Sequence, residues 1–230
     1  MAEVEMSLVE HLTELRKKLV ISLLSVFILA LVSYYFASDI IAILAQPVGD
    51  GLVYLSPTEA FFTEVKVAAF TGFLIALPII LYQVWSFILP ALKDNEKKYL
   101  TILVPLSYIF FMMGVSFAHF VVIPFGINFF LGFADESLRA MFSLSNYISF
   151  IITILLPFGL VFELPLLITL LVKLRLISSK FLRKNRRYVI VAIFLFGAIL
   201  TPPDIVSQAM MALPLIVLYE GSIIVARIIE

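Results

Sequence analysis

The sequence predicts an all-α membrane protein of six transmembrane helices, with both termini cytoplasmic and the fifth and sixth helices short. Three observations predict it. Of 230 residues, 63% are hydrophobic and only 14% charged, whereas a soluble domain is nearer half apolar and a quarter charged. The apolar residues gather into six runs, about 19–37, 61–89, 99–126, 147–172, 188–200 and 205–219. With the N-terminus inside, fourteen of the sixteen Lys and Arg fall on the cytoplasmic side and only Lys66 and Arg139 outside, a strong positive-inside bias.

Each element has its own signal. Ser7 to Glu10 reads as a capping box. It opens an amphipathic surface helix over about 7–18, with Leu8, Leu12, Leu15 and Leu19 on one stripe. The first four runs have the roughly 20 residues that cross a ~30 Å hydrocarbon core. Ser56-Pro57-Thr58-Glu59 is a second capping box with Pro at the first helical position, and it opens the second run. YQVWSF, 82–87, suits the inner aromatic belt. Tyr188 to Leu200 covers only ~20 Å at the helical rise. Thr201-Pro202-Pro203-Asp204 caps the sixth run, so the last two helices form a tight hairpin of undersized spans that would thin the bilayer. Pro78, Pro105, Pro157, Pro165 and Pro214 predict kinks. No repeat or linker divides the chain, and 1–230 reads as a single polytopic domain.

Several function classes are excluded or weakened. With no cysteine there is no disulfide framework, thiol nucleophile or Cys-based metal site. HExxH, GxSxG, P-loop and GxGxxG patterns are absent, so neither an enzyme nor a cofactor is expected. The N-terminus is too acidic, and too long before its first apolar run, for a signal peptide. The basic 173–187 segment is explained by topology and anionic lipid without nucleic acid.

One ionisable group stands out. In FGLVFELPLLI, 158–168, Glu163 lies ~13 Å from the inner end of the fourth run by helical rise. A charge there costs about 3 kcal/mol on insertion scales, and burial favours the neutral acid. It reads either as a structural acid bonded to a carbonyl freed by the flanking prolines, or as a proton site or docking point for a polar group. His119 falls near the outer interface and reads as a histidine without a partner. By themselves Glu14, four residues before Lys18, and Glu96, opening the third helix, look like routine surface residues. Asp204 reads as a cap, and Gln208 as a polar residue able to bond to a neighbouring helix.

Four stretches in one order change the weight of these residues: HLTELRKKL at 11–19, LYQVWSFILPAL at 81–92 followed by NEKK, FELP at 162–165 and LTPPDIVSQ at 200–208. Over about residues 8–227 the chain resembles the TatC family, the multi-span core of the twin-arginine translocase of the inner membrane. The resemblance implies a receptor for twin-arginine signal peptides on folded cargo. It also implies assembly with TatA- and TatB-type single-span partners, self-association in the complex, and transport driven by the proton-motive force with no nucleotide site. It assigns recognition of the two arginines to Glu14 and Glu96, with Arg16 the arginine of ELR and Phe87 beside the binding surface. Fixed carboxylates accept the bidentate bonds of guanidinium, which Lys cannot match. The resemblance further places Thr201, Gln208 and Glu163 at partner-helix contacts, and Asp204 in the outer turn of the hairpin. Pro47 falls in an apolar outer loop (IIAILAQPV) that folds back on the membrane. The chain ends soon after its sixth run, so no tail function is assigned. The alternative reading is a proton-coupled small-molecule transporter using Glu163; a passive scaffold is a third.

Overall fold

The computed structural model describes residues 8–48, 51–88, 100–132, 141–200 and 205–229. They are almost entirely helical and fall into two compact units, Met1–Gln46 with Tyr54–Tyr108, and Pro47–Val53 with Ile109–Glu230.

The first unit is built on two long helices, α1 (Leu8–Tyr34) and α3 (Pro57–Ile88). α1 contains no Gly or Pro, so nothing interrupts it where the amphipathic stretch meets the apolar one at Leu19. The surface helix expected over about 7–18 is thus continuous with the first span. Its hydroxyls bond back along the helix: Thr13 donates to the Val9 carbonyl at 2.8 Å and Ser22 to the Lys18 carbonyl at 2.9 Å. Such back-bonding satisfies the hydroxyl within its own helix. The outer face of α1 exposes Leu23, Phe27 and Leu31 by 62–66%, a stripe suited to lipid. At Tyr35–Phe36 the chain turns into α2 (Ala37–Ala45), bent 80° from α1.

The cap of α3 is formed. The Glu59 N–H donates to Ser56 Oγ at 3.3 Å, and Glu59 Oε2 accepts from the Leu55 N–H at 2.7 Å. α1 and α3 approach closely at Gly72, where a Cβ would lie 2.4 Å from the Ala30 nitrogen. Small residues at a crossing let two backbones meet in an apolar solvent. Near the far end of α3, Trp85 is buried and its Nε1 donates to Ser107 Oγ on α4 (Leu100–Phe117) at 2.9 Å. The YQVWSF cluster therefore splits, with Trp85 inside and Tyr82 about half exposed.

In the second unit α4 runs through a π-turn (Ala118–Val122) into α5 (Ile123–Leu131). A two-residue parallel pairing, β1 (Leu52–Val53) with β2 (Phe142–Ser143), precedes α6 (Leu144–Phe162). α4 and α6 touch at Gly114, where a Cβ would meet the Phe158 carbonyl oxygen at 2.5 Å. The Phe117 ring packs between those of Phe158 and Phe162. α7 (Leu164–Lys173) and α8 (Ser179–Leu200) both pack on α9 (Ile205–Ile229). Their shared core holds Ile168, Val172, Leu182, Tyr219, Ile223 and Ala226. Tyr219 closes it by donating its hydroxyl to the Leu182 carbonyl at 2.9 Å.

The prolines do not all act alike. Helix is continuous through Pro78, Pro105, Pro157 and Pro214. Only Pro165 lies beside a break, just inside α7. It has no N–H for the Val161 carbonyl, and the Glu163 N–H bonds to the Leu160 carbonyl at 3.1 Å, a tightened turn.

Among the described residues four helices are long and apolar enough to cross a membrane: Pro57–Phe87, Thr101–Phe129, Leu144–Lys173 and Met211–Ile229. The bent pair His11–Tyr34 and Ala37–Ala45 makes a fifth if it counts as one span. α8 and α9 extend beyond the apolar runs read at 188–200 and 205–219. α8 carries Lys180, Arg183, Lys184, Arg186 and Arg187 before its apolar part begins at Tyr188.

Candidate functional site

The best-defined polar cluster in the first unit is built from one face of α1 and the last turn of α3. Positions 11, 14 and 18 share a helical face by the i, i+3, i+4 rule, and the packing of α1 along α3 brings that face to Phe87. The His11 ring stacks on the Phe87 ring with centroids 4.5 Å apart and planes 25° apart. Lys18 Nζ stands 5.5 Å from the centre of the same ring. It also pairs with Glu14 Oε1 at 2.6 Å.

The two oxygens of Glu14 are treated differently. Oε1 is held by Lys18, whereas Oε2 is buried with no hydrogen-bond partner among the described residues. A buried acceptor without a donor costs about 1–3 kcal/mol. A fixed carboxylate beside an aromatic face suits a planar guanidinium, which bonds a carboxylate in its plane and stacks on rings. Arg16 is exposed on a different face of α1 and pairs with no carboxylate among the described residues. Glu96, the second expected acid, lies outside the described residues.

The expected partner contacts occupy the second unit. Gln208 bridges the hairpin, its Nε2 donating to the Phe194 carbonyl at 2.9 Å. It is therefore engaged within the chain. Thr201 and Asp204 lie outside the described residues. Glu163 occupies the single residue between α6 and α7, half-buried, with Oε1 shielded from solvent. Pro47, half-buried, lies in the turn after α2. His119 sits in the π-turn, edge-on to Phe120, with Nδ1 buried and unbonded among the described residues. No group of three His, Cys, Asp or Glu among the described residues has metal-binding geometry.

Sequence reasoning missed His11 as a member of the cluster and the Trp85–Ser107 hydrogen bond between α3 and α4. Only helical spacing could have flagged His11, since it lies one turn before Glu14 on the same face.

The chain is similar to known proteins over nearly its whole length. The profile of the Sec-independent protein translocase protein (TatC) family matches residues 10–214. A Sec-independent protein translocase protein TatC of Carboxydothermus hydrogenoformans is 42% identical over all of this chain and 96% of its own length. The protein of that name from Escherichia coli K12 is 35% identical, covering 96% of this chain and 88% of its own. A crystal structure of a twin-arginine translocase receptor, TatC, superposes with a TM-score of 0.84 at 40% identity, covering 96% of this chain and 99% of that one. A continuous profile match and full-length identity on the same helical scaffold leave one assignment: this chain belongs to the TatC family of Sec-independent protein translocase proteins.

Proposed function

We propose that the chain binds twin-arginine signal peptides at its cytoplasmic face and nucleates a complex that exports folded proteins. The observation that carries the reading is Glu14 Oε2, a buried acceptor left open beside the His11–Phe87 stack. One arginine of the signal bonds this oxygen; the second is taken by Glu96. A guanidinium offers five donors in a plane, whereas an ammonium offers a point charge, so the pair of acids prefers arginine to lysine.

The wider reading follows from the family and the charge pattern. The chain is a single membrane domain that crosses the inner membrane six times, with both termini in the cytoplasm. In this reading α8 and α9 are two crossings whose apolar parts are short. The apolar part of the signal inserts along the bundle, and TatA- and TatB-type helices gather at the α8–α9 hairpin around Thr201 and Gln208. Glu163, with one oxygen shielded at a helix break, offers those partners a polar contact inside the bilayer. Pro47 and Asp204 shape the outer loops. The proton-motive force drives transport without a nucleotide or other cofactor, and copies of the chain associate in the working complex.

The test is binding of a fluorescent twin-arginine peptide to the purified full chain in detergent, with a twin-lysine peptide as control. Binding lost with lysines, and weakened by Glu14→Gln and by Glu96→Gln, supports the receptor. Equal binding of both peptides defeats it. Solute uptake by vesicles holding the chain alone, abolished by Glu163→Gln, would instead favour a proton-coupled transporter.

A further inference from the structure

One charged feature of the second unit is not used by the receptor. Where α8 begins and α9 ends, a groove of ≈ 720 Å³ is bordered by Lys180, Arg183, Lys184, Arg186 and Arg227, with Glu220 the one carboxylate among its described lining residues. That volume falls in the range of small-ligand sites, roughly 300–1,000 Å³. Glu220 is committed, because Arg186 bonds both of its oxygens through Nε and Nη2. The hydrogen bonds and charge of Glu220 hold the Arg186 guanidinium above its ordinary pKa. Arg187 is also spoken for, lying over the Tyr188 ring and bonding its hydroxyl at 2.8 Å.

Four cations remain, Lys180, Arg183, Lys184 and Arg227, and no carboxylate among the described residues pairs with them. Here two helices direct four onto one groove, so the net charge of its lining is about +4.

The groove is held in shape. The Arg186–Glu220 pair and the Tyr219–Leu182 bond both tie α9 to α8. Ile223 is buried beneath it, while Ile224 stays 61% exposed on its wall. The cations thus stand directly beside apolar surface, at the level where the apolar part of α8 starts at Tyr188.

We propose that this groove binds the headgroup of an anionic phospholipid, its phosphate seated among Arg183, Lys184 and Arg227 and an acyl chain lying along Ile224. Charge complementarity requires an anion, and the adjoining apolar wall requires an anion that carries a hydrocarbon chain, which an acidic peptide or free phosphate lacks. Basic pockets between helices at the cytoplasmic side recognise such lipids in this way. The inference rests on the orientation proposed above, which puts this end of α8 and α9 at the cytoplasmic leaflet.

Native mass spectrometry of the delipidated full chain in detergent tests it, with phosphatidylglycerol and phosphatidylcholine added at equal concentration. The wild type should retain phosphatidylglycerol in preference. Each cation removed weakens an anionic lipid by roughly fivefold, so the Arg183→Gln/Lys184→Gln/Arg227→Gln variant should bind about a hundredfold more weakly. Arg183→Lys/Arg227→Lys, which keeps the charge, and Lys173→Gln/Arg175→Gln, outside the groove, should retain the preference. Equal retention of both lipids, an unchanged preference in the triple variant, full displacement by an equal concentration of inorganic phosphate, or stronger retention of an acidic peptide would each overturn the proposal. The readout is independent of signal binding. Loss of lipid preference with intact twin-arginine binding refutes this inference alone; the reverse refutes the receptor alone.

Discussion

Lys18 holds one oxygen of Glu14 at 2.6 Å and leaves the other buried with no donor among the described residues. The pair fixes the orientation of the carboxylate while keeping half of its bonding capacity open. An isolated i,i+4 pair is worth only about 0.3–0.5 kcal/mol, so its contribution is to geometry more than to stability.

Glu14→Gln should therefore separate function from folding. Hydrogen bonds to charged groups are worth about 1.5–3 kcal/mol, which corresponds to roughly a 10- to 150-fold loss of twin-arginine peptide affinity. The melting temperature in detergent should barely move. Fluorescence anisotropy and a thermal melt on the same preparation check both halves. A variant that binds normally, or that unfolds outright, would refute this division.

Phe87 serves the site indirectly, as the surface on which His11 stacks and over which Lys18 stands. An aromatic pair adds about 0.5–1.5 kcal/mol. Phe87→Ala should loosen Lys18 and with it Glu14, weakening the peptide by roughly two- to tenfold, chiefly through faster dissociation. Phe87→Tyr keeps the ring face and should bind like the parent. Stopped-flow dissociation rates distinguish the two variants, and equal rates would remove Phe87 from the site.

Gly72 tests the frame that carries the cluster. A methyl at this position would meet the Ala30 nitrogen at 2.4 Å and its Cα at 2.5 Å. Gly72→Ala should cost about 1–3 kcal/mol, as overpacking does, and lower the melting temperature. Because two of the three contacts are to backbone, Ala30→Gly should fail to rescue it. Rescue would mean that the side chain sets the spacing.

What could be read in the sequence was largely local. The cap at 56–59 formed because its four residues act on one another. The break at Glu163 follows from Pro165, two residues on, which removes a specific donor. Relations between distant segments were not legible. Trp85 looked like an interfacial aromatic, yet it bonds Ser107, twenty-two residues away, and only the packed pair reveals it. His11 carries no signal until Phe87 is placed beside it. The apolar runs understated the lengths of α8 and α9 because hydropathy measures contact with lipid, whereas helix continues through charged turns outside it. Partner contacts were legible only through resemblance, since a polar residue such as Gln208 looks the same whether its hydrogen bond lies within the chain or across to another.

Gln208 donates to the Phe194 carbonyl across the hairpin. In membranes such bonds average about 0.6 kcal/mol, so Gln208→Leu should lower stability only slightly. If a partner helix docks there, the change should reduce cross-linking to TatA- or TatB-type partners by much more than it reduces stability, while peptide binding persists. Parallel losses in all three would make the residue purely structural.

Pro165 decides where Glu163 stands. Pro165→Ala would restore an N–H that can bond the Val161 carbonyl, joining α6 to α7 as one helix and rotating Glu163 away from the break. The native turn is already satisfied by the Glu163 N–H bond to Leu160, so folding should survive the change or improve slightly. Twin-arginine binding, proposed to depend on Glu14 in the other unit, should stay within about twofold of the parent, a difference of ~0.4 kcal/mol. Export of a folded cargo by membrane vesicles should fall sharply if Glu163 contacts a partner from that break, and Glu163→Gln should keep more activity than Glu163→Leu because an amide still hydrogen-bonds. Wild-type export by Pro165→Ala would show that the break is incidental and that Glu163 acts, if at all, from an ordinary helical position.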